Sequence, residues 1–153
     1  MSITVGVNAY ITYAEFTAWA GLRGYNITHP EAKVEEAIVI ASLDYIDAMH
    51  NFKGELVDDE QAMKLPTDMV SIANIKPAAC AAVKMQLDGT LMVEPSTIST
   101  AGVVQAEAKS VGDLSKSVTY KSGSAQTYKR VTPLVDALLR PYLLGSMGSV
   151  QRL

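Results

Sequence analysis

Only one cysteine, Cys80, occurs in the 153 residues, so no intrachain disulfide can form. It falls in the small-residue run from Ala78 to Ala82, where a thiol acts as a compact apolar side chain. A lone free thiol also fits synthesis in a reducing compartment. Histidine is nearly as scarce. His29 and His50 are the only two, and neither stands at metal-ligand spacing from a cysteine or from the other. There is no glycine-rich phosphate loop and no dinucleotide fingerprint. No apolar run approaches about 18 residues, so no membrane span is expected. The opening MSITVGVNAY lacks the basic-then-apolar order of a signal peptide. Excess positive charge is missing too: 13 Lys and Arg stand against 16 Asp and Glu, for a net charge of −3. A broad basic footprint for nucleic acid is thereby excluded. With no catalytic constellation, the chain is not expected to be an enzyme and implies no cofactor and no metal.

What is present is apolar material in helical register. Hydrophobic residues make up 48% and charged residues 19%, enough for a core and too apolar for a disordered chain. At this length a single domain, 1–153, is expected. The fold class is mainly α: a small bundle of about four helices, with an inserted β-hairpin arm and extended termini. The body comprises 11–90 and 131–144, the arm 95–130 and the tail 145–153.

Thr12-Tyr13-Ala14-Glu15 has the pattern of a capping box and opens a helix to about Leu22, with Tyr13, Phe16, Trp19 and Ala20 on one face. Gly24 ends it. Thr28-His29-Pro30-Glu31 is read as a second capping box, opening a helix to about His50. Val34, Ile38, Ala41, Tyr45 and Met49 form one stripe there, and Val39, Leu43 and Ile46 a second, so this helix should be enclosed. Phe52-Lys53-Gly54 closes it. A loop from Glu55 to Val70 follows, carrying the acidic triplet Asp58-Asp59-Glu60 and Pro66. The triplet reads as a solvated turn sooner than a cation site. Asn74 is the expected cap of the next helix, with Pro77 in its first turn. Ala78, Ala79, Ala81 and Ala82 give that helix a face for close packing, and Asp88-Gly89 stops it. The last helix is expected from Pro133 to Leu144, with Leu134, Leu138 and Tyr142 as one stripe and Val135 and Leu139 beside it.

Between the last two helices the helical pattern stops. Val104, Ala106 and Ala108 alternate with Gln105, Glu107 and Lys109. After a turn at Val111-Gly112-Asp113, Leu114, Lys116, Val118 and Tyr120 alternate with Ser115, Ser117, Thr119 and Lys121. Two period-two runs about a glycine turn predict a β-hairpin. So long a connection in a compact domain is functional or disordered. It also holds the only basic, aromatic-bearing stretch: Lys109, Lys116, Lys121, Lys129 and Arg130, with Tyr120 and Tyr128 between them. Lysines facing water would also guard exposed strand edges.

The order of these elements resembles the head–tail connector, or head completion, proteins of tailed bacteriophages. It is carried by YITYAEFTAW, by EEAIVIASLDYID ending in Phe52-Lys53-Gly54, by the Gln61 loop with Pro66, by the Ala-rich helix, by VGDLSKSVTY (111–120), and by a leucine-rich last helix with a loose tail. The resemblance spans about Ile11 to Tyr142. Related sequences are often labelled DnaT-like single-stranded-DNA-binding proteins. After Gln61 such proteins often carry a Trp-Pro-Arg run; here the residues are Leu65-Pro66-Thr67, so contacts of that Trp and Arg do not carry over.

The resemblance implies a ring, commonly of twelve copies, beneath the portal in the virion neck. The protein would be made in the bacterial host cytoplasm, extend the DNA channel without sequence-specific binding, and dock the tail or a further neck protein. The C-terminal tail, Met147, Val150, Gln151, Arg152 and Leu153, would then meet the portal. The arm, through Val111, Leu114, Val118, Tyr120 and Tyr128, would meet a neighbouring subunit or the tail. The alternative function is a DnaT-like single-stranded-DNA-binding replication accessory protein.

Overall fold

The computed structural model describes residues 2–92, 104–109, 116–120 and 132–145. The chain divides into two compact units, Met1–Met92 with Thr132–Leu153, and Val93–Val131. The first is helical, with four helices among its described residues. In the second, β1 (Val104–Lys109) pairs antiparallel with β2 (Lys116–Tyr120), with an irregularity between Val104 and Ala106. The expected turn at 111–113 and the remainder of the arm lie outside the described residues.

Helix α1 (Tyr13–Leu22) begins as the sequence predicts. The Thr12 hydroxyl accepts from the Glu15 amide at 3.2 Å, and the Glu15 carboxylate accepts from the Thr12 amide at 2.8 Å. Two amides that a helix start leaves unpaired are thus satisfied. Phe16 and Ala20 are fully buried, and Tyr13 and Trp19 pack beside them.

Helix α2 (Glu31–Ile40) departs from expectation at its start. Pro30 is the N-cap, extended at φ −58° and ψ 150°, and no side chain caps the helix. The chain stays extended through Pro30, so Thr28 stands too far upstream to cap. Beyond Ile40 the rod continues as a π-helical segment, Ala41–Asp47. Its i→i+5 bonding slows the rotation of side chains around the axis. Val34, Ile38, Ala41 and Tyr45 are buried as expected, but the stripe has drifted by Met49, which is 59% exposed.

The π segment also anchors the N-terminal lead. That lead, expected to be extended, folds as a turn with a bridge between Val5 and Ala9. It delivers Ala9, Tyr10 and Ile11 into the core. Ser42 Oγ accepts from the Tyr10 amide at 3.1 Å. Asp47 accepts from the Tyr10 hydroxyl and, at 2.8 Å, from the Lys64 amide.

Helix α3 (Ile72–Leu87) is capped three residues earlier than expected: Ser71 holds the N-cap position and Asn74 lies inside. Pro77 is therefore interior, where its missing N–H leaves the Ala73 carbonyl without a helix bond. Ala78 to Val83 are all buried, so the small-residue face does bring neighbouring helices close.

Helix α4 (Pro133–Leu139) is shorter than expected and passes into a 3₁₀ turn, Arg140–Tyr142. Pro141 is the reason: it has no amide to continue the ladder, and its ring crowds the carbonyl four residues back. The inward residues are Val135 and Leu139, whereas Leu134 is 54% exposed.

The Phe52-Lys53-Gly54 segment clasps this C-terminal end. Phe52 bridges Leu143, the Lys53 amide donates to Tyr142 O at 2.9 Å, and the Leu144 amide donates to Asn51 O at 2.9 Å. Gly54, at φ +89°, turns the chain into the loop. There Met63, Leu65, Thr67 and Val70 are buried, and Leu65–Pro66 is cis.

Candidate nucleic-acid interface

Groups with shifted acidity in the helical unit serve packing. Burial, then Asp47, push the Tyr10 phenol far above its ordinary range. Burial, then the charge of Glu15, push the Cys80 thiol up to about 12. Glu15 moves the other way. Burial alone would raise it, but hydrogen bonds from Lys76 and Thr12 hold the carboxyl below its ordinary value. Among the described residues no group of acidic, histidine or cysteine side chains could hold a metal ion. The acidic triplet is exposed, with Asp58 Oδ1 accepting from the Glu60 amide at 3.0 Å. His50 Nδ1 lies 3.2 Å from Ile46 O and 3.3 Å from Tyr45 O, at a helix end as expected. An open depression lined by Ser2, Ile3, Thr12, Tyr13, Ala14 and Glu35 brings no nucleophile and base together.

Charge is divided unevenly along the chain. Segment 93–131 carries Lys109, Lys116, Lys121, Lys129 and Arg130 against Glu94, Glu107 and Asp113; the remainder has thirteen acidic residues against eight basic ones. In the helical unit most cations are engaged. Lys33 pairs with Glu36 at 3.0 Å, Lys76 with Glu15, and Lys84 with Asp88 at 2.5 Å. Lys53 Nζ donates to Pro141 O at 2.8 Å and Lys64 Nζ to His50 O at 2.9 Å.

Arg23 is different. No carboxylate lies within ion-pair distance among the described residues. Its guanidinium carbon sits 4.3 Å from the centroid of the Trp19 ring, and Nη1 donates to Trp19 O at 3.4 Å. Trp19 and Arg23 are four apart on one helix face. Gly24, at φ +69°, then reverses the chain, and Tyr25 folds back on Trp19 with ring centroids 5.7 Å apart. Phe16 stacks on Trp19 at 6.2 Å and 22°. From α3, Lys84 Nζ lies 5.3 Å from the Tyr25 centroid. Leu22, one residue before Arg23, is 88% exposed and Tyr25 is 43% exposed. The Trp19 indole N–H is buried without a hydrogen-bond partner among the described residues.

Sequence reasoning placed Trp19 on an apolar face and passed over Arg23, Tyr25 and Lys84. The four-residue spacing of Trp19 and Arg23 was the available signal. Of the residues expected to make contacts, Val118 stands opposite Glu107 and Tyr120 opposite Val104 in the strand pair. Val111, Leu114, Tyr128, Met147, Val150, Gln151, Arg152 and Leu153 lie outside the described residues, as do Lys121, Lys129 and Arg130.

A protein-family model described as "Putative DnaT-like ssDNA binding protein" matches residues 2–153. No curated relative and no solved structure shows a significant match to the chain.

Proposed function

The chain belongs to this DnaT-like family, and from that premise we propose that it binds single-stranded DNA without catalysing any reaction on it. The observation that carries this reading is the segregation of charge. The one stretch with a cationic excess, 93–131, also holds Tyr120 and Tyr128. Single-strand binders combine cations that follow the backbone with aromatic rings on which bases stack. The family's description favours this reading over the head-to-tail adaptor.

The test is the anisotropy of a labelled oligothymidylate of about 30 nucleotides at 50 and 200 mM salt. If four or five of the segment's cations meet phosphates, the single-strand counterion slope predicts a loss of affinity of about 50- to 130-fold over that range. A salt-independent Kd, or no binding at 50 mM, refutes it. Replacing Lys109, Lys116, Lys121 and Lys129 by Gln should flatten the dependence.

A second reading is favoured by the order of elements: an adaptor of the phage neck. In it, 95–130 is a projecting hairpin arm and 145–153 meets the portal. It accounts for a helical unit that is acidic outside the Arg23 cluster and whose apolar helices enclose one another. Rings seen by electron microscopy on mixing with portal, together with absence of single-strand binding, select this reading over the first.

A further inference from the structure

We infer that Trp19, Arg23, Tyr25 and Lys84 form a stacking platform for unpaired bases. The inference rests on the single-strand reading and assigns it a place on the helical unit. Three features converge there.

First, the Arg23 guanidinium lies over the Trp19 ring at 4.3 Å. Arginine planes stack on aromatic faces, and one fixed this way presents its outer side as a further flat surface. Its charge is uncancelled by any carboxylate among the described residues, so a phosphate beside the stacked base meets attraction.

Second, Tyr25 is 43% exposed and its hydroxyl has no hydrogen-bond partner among the described residues. The ring is held against Trp19 at 5.7 Å, so its orientation is set before a ligand arrives. Preorganised rings lose little entropy on binding.

Third, the surroundings are open and carry further charge: Leu22, next to Arg23 in the chain, is exposed. Lys84, 5.3 Å from the Tyr25 ring, adds a second cation, which Asp88 partly neutralises at 2.5 and 2.7 Å.

Flat surfaces beside a cation suit a base whose faces are free. In a duplex those faces are stacked inside, so this chemistry selects single strands. It also predicts little sequence preference, because every base has a π face.

Trp19 is the only tryptophan, so its fluorescence reports on this place alone. Oligothymidylate of about 30 nucleotides is titrated into the full chain at about 50 mM salt, reading oligomer anisotropy and tryptophan emission together. The expected result is saturable quenching that tracks the anisotropy. Tyr25→Ala should weaken binding about tenfold while Tyr25→Phe preserves it, the size expected for losing one stacked base. Arg23→Lys should weaken it severalfold although the charge is kept. Circular dichroism confirms that each variant is folded.

Anisotropy that rises with unchanged emission, and with Tyr25→Ala binding as tightly as the parent, overturns the platform while leaving single-strand binding intact. Failure of the anisotropy to rise at all overturns both. Equal affinity for Arg23→Lys and the parent shows that charge, not the stacked plane, is what matters, and overturns the platform as stated.

Discussion

Gly54→Ala tests the clasp that ties the loop to the C-terminal end, and its cost can be worked from two separate sources. Gly54 has φ +89°, a region that costs an L side chain about 1–2 kcal/mol. In addition, a Cβ at this position would run into Asp68 Oδ1 and come within 3.0 Å of Met69 Cβ and Cγ. Asp68 cannot move freely. Its Oδ1 accepts from the Glu55 amide at 2.8 Å and its own amide donates to Glu55 O at 3.0 Å. Displacing it loosens both bonds, at about 0.5–1.5 kcal/mol each. The total is roughly 2–5 kcal/mol, or about 4–20 °C in Tm for a chain of this size. Gly24 supplies the control. It too has positive φ (+69°), but a Cβ there meets nothing within 4 Å. Gly24→Ala should therefore cost only the strain, about 1–2 kcal/mol. Urea midpoints of the two variants measure the difference. Equal losses would refute the collision with Asp68. So would a Gly54→Ala penalty that stays unchanged in an Asp68→Ala background, because neighbours sharing a contact must couple.

Cys80 is 3% exposed and its thiol is pushed up to about 12, chiefly by burial, so a thiol reagent at about pH 8 should react only after denaturant is added; stoichiometric labelling of the native protein would show that α3 does not enclose it. Against burial, the Glu15 carboxyl is held below its ordinary value by hydrogen bonds from Lys76 and Thr12, so its contribution to stability is full above the unfolded value and is lost as pH falls through the lower folded one. Glu15→Gln should therefore narrow the gap between urea midpoints at about pH 6 and pH 3; an unchanged gap would remove Glu15 from the acid response.

How far each element could be read from the sequence depended on the distance between its determinants. The α1 start was legible because Thr12 and Glu15 satisfy each other within four residues. Gly24 and Gly89 were legible as stops for the same local reason. The α2 start was not, because Pro30 keeps the chain extended and removes Thr28 from reach. The Met49 misplacement came from assuming a constant 3.6 period through Ala41–Asp47, and nothing local announces a π segment. It is supported by long-range bonds, from Tyr10 to Ser42 and Asp47. Pro141 was visible, but a run of leucines carried the helix past it. The core residues of the loop, Met63, Leu65 and Val70, follow no period and were read as connection. Trp19 and Arg23 could have been paired by spacing. Lys84 could not, because only the packing of α3 against α1 brings it to Tyr25.

Those same long-range bonds bear on how the protein works. Tyr10, Glu15 and Cys80, the described residues with shifted acidity, are each committed to packing or capping. The segment 93–131 leaves the helical unit beside Leu91, fully buried, and returns at Thr132, 1% exposed. Thr132 is fixed there by a 2.6 Å hydrogen bond between its hydroxyl and that of Tyr45. Both roots of the cationic segment are thus set in the core. A single strand gripped by lysine and arginine charges and by stacked rings meets groups that do not titrate in the middle range. Its affinity should follow ionic strength steeply and stay flat between about pH 6 and 8, because lysine and arginine keep their charge across that interval.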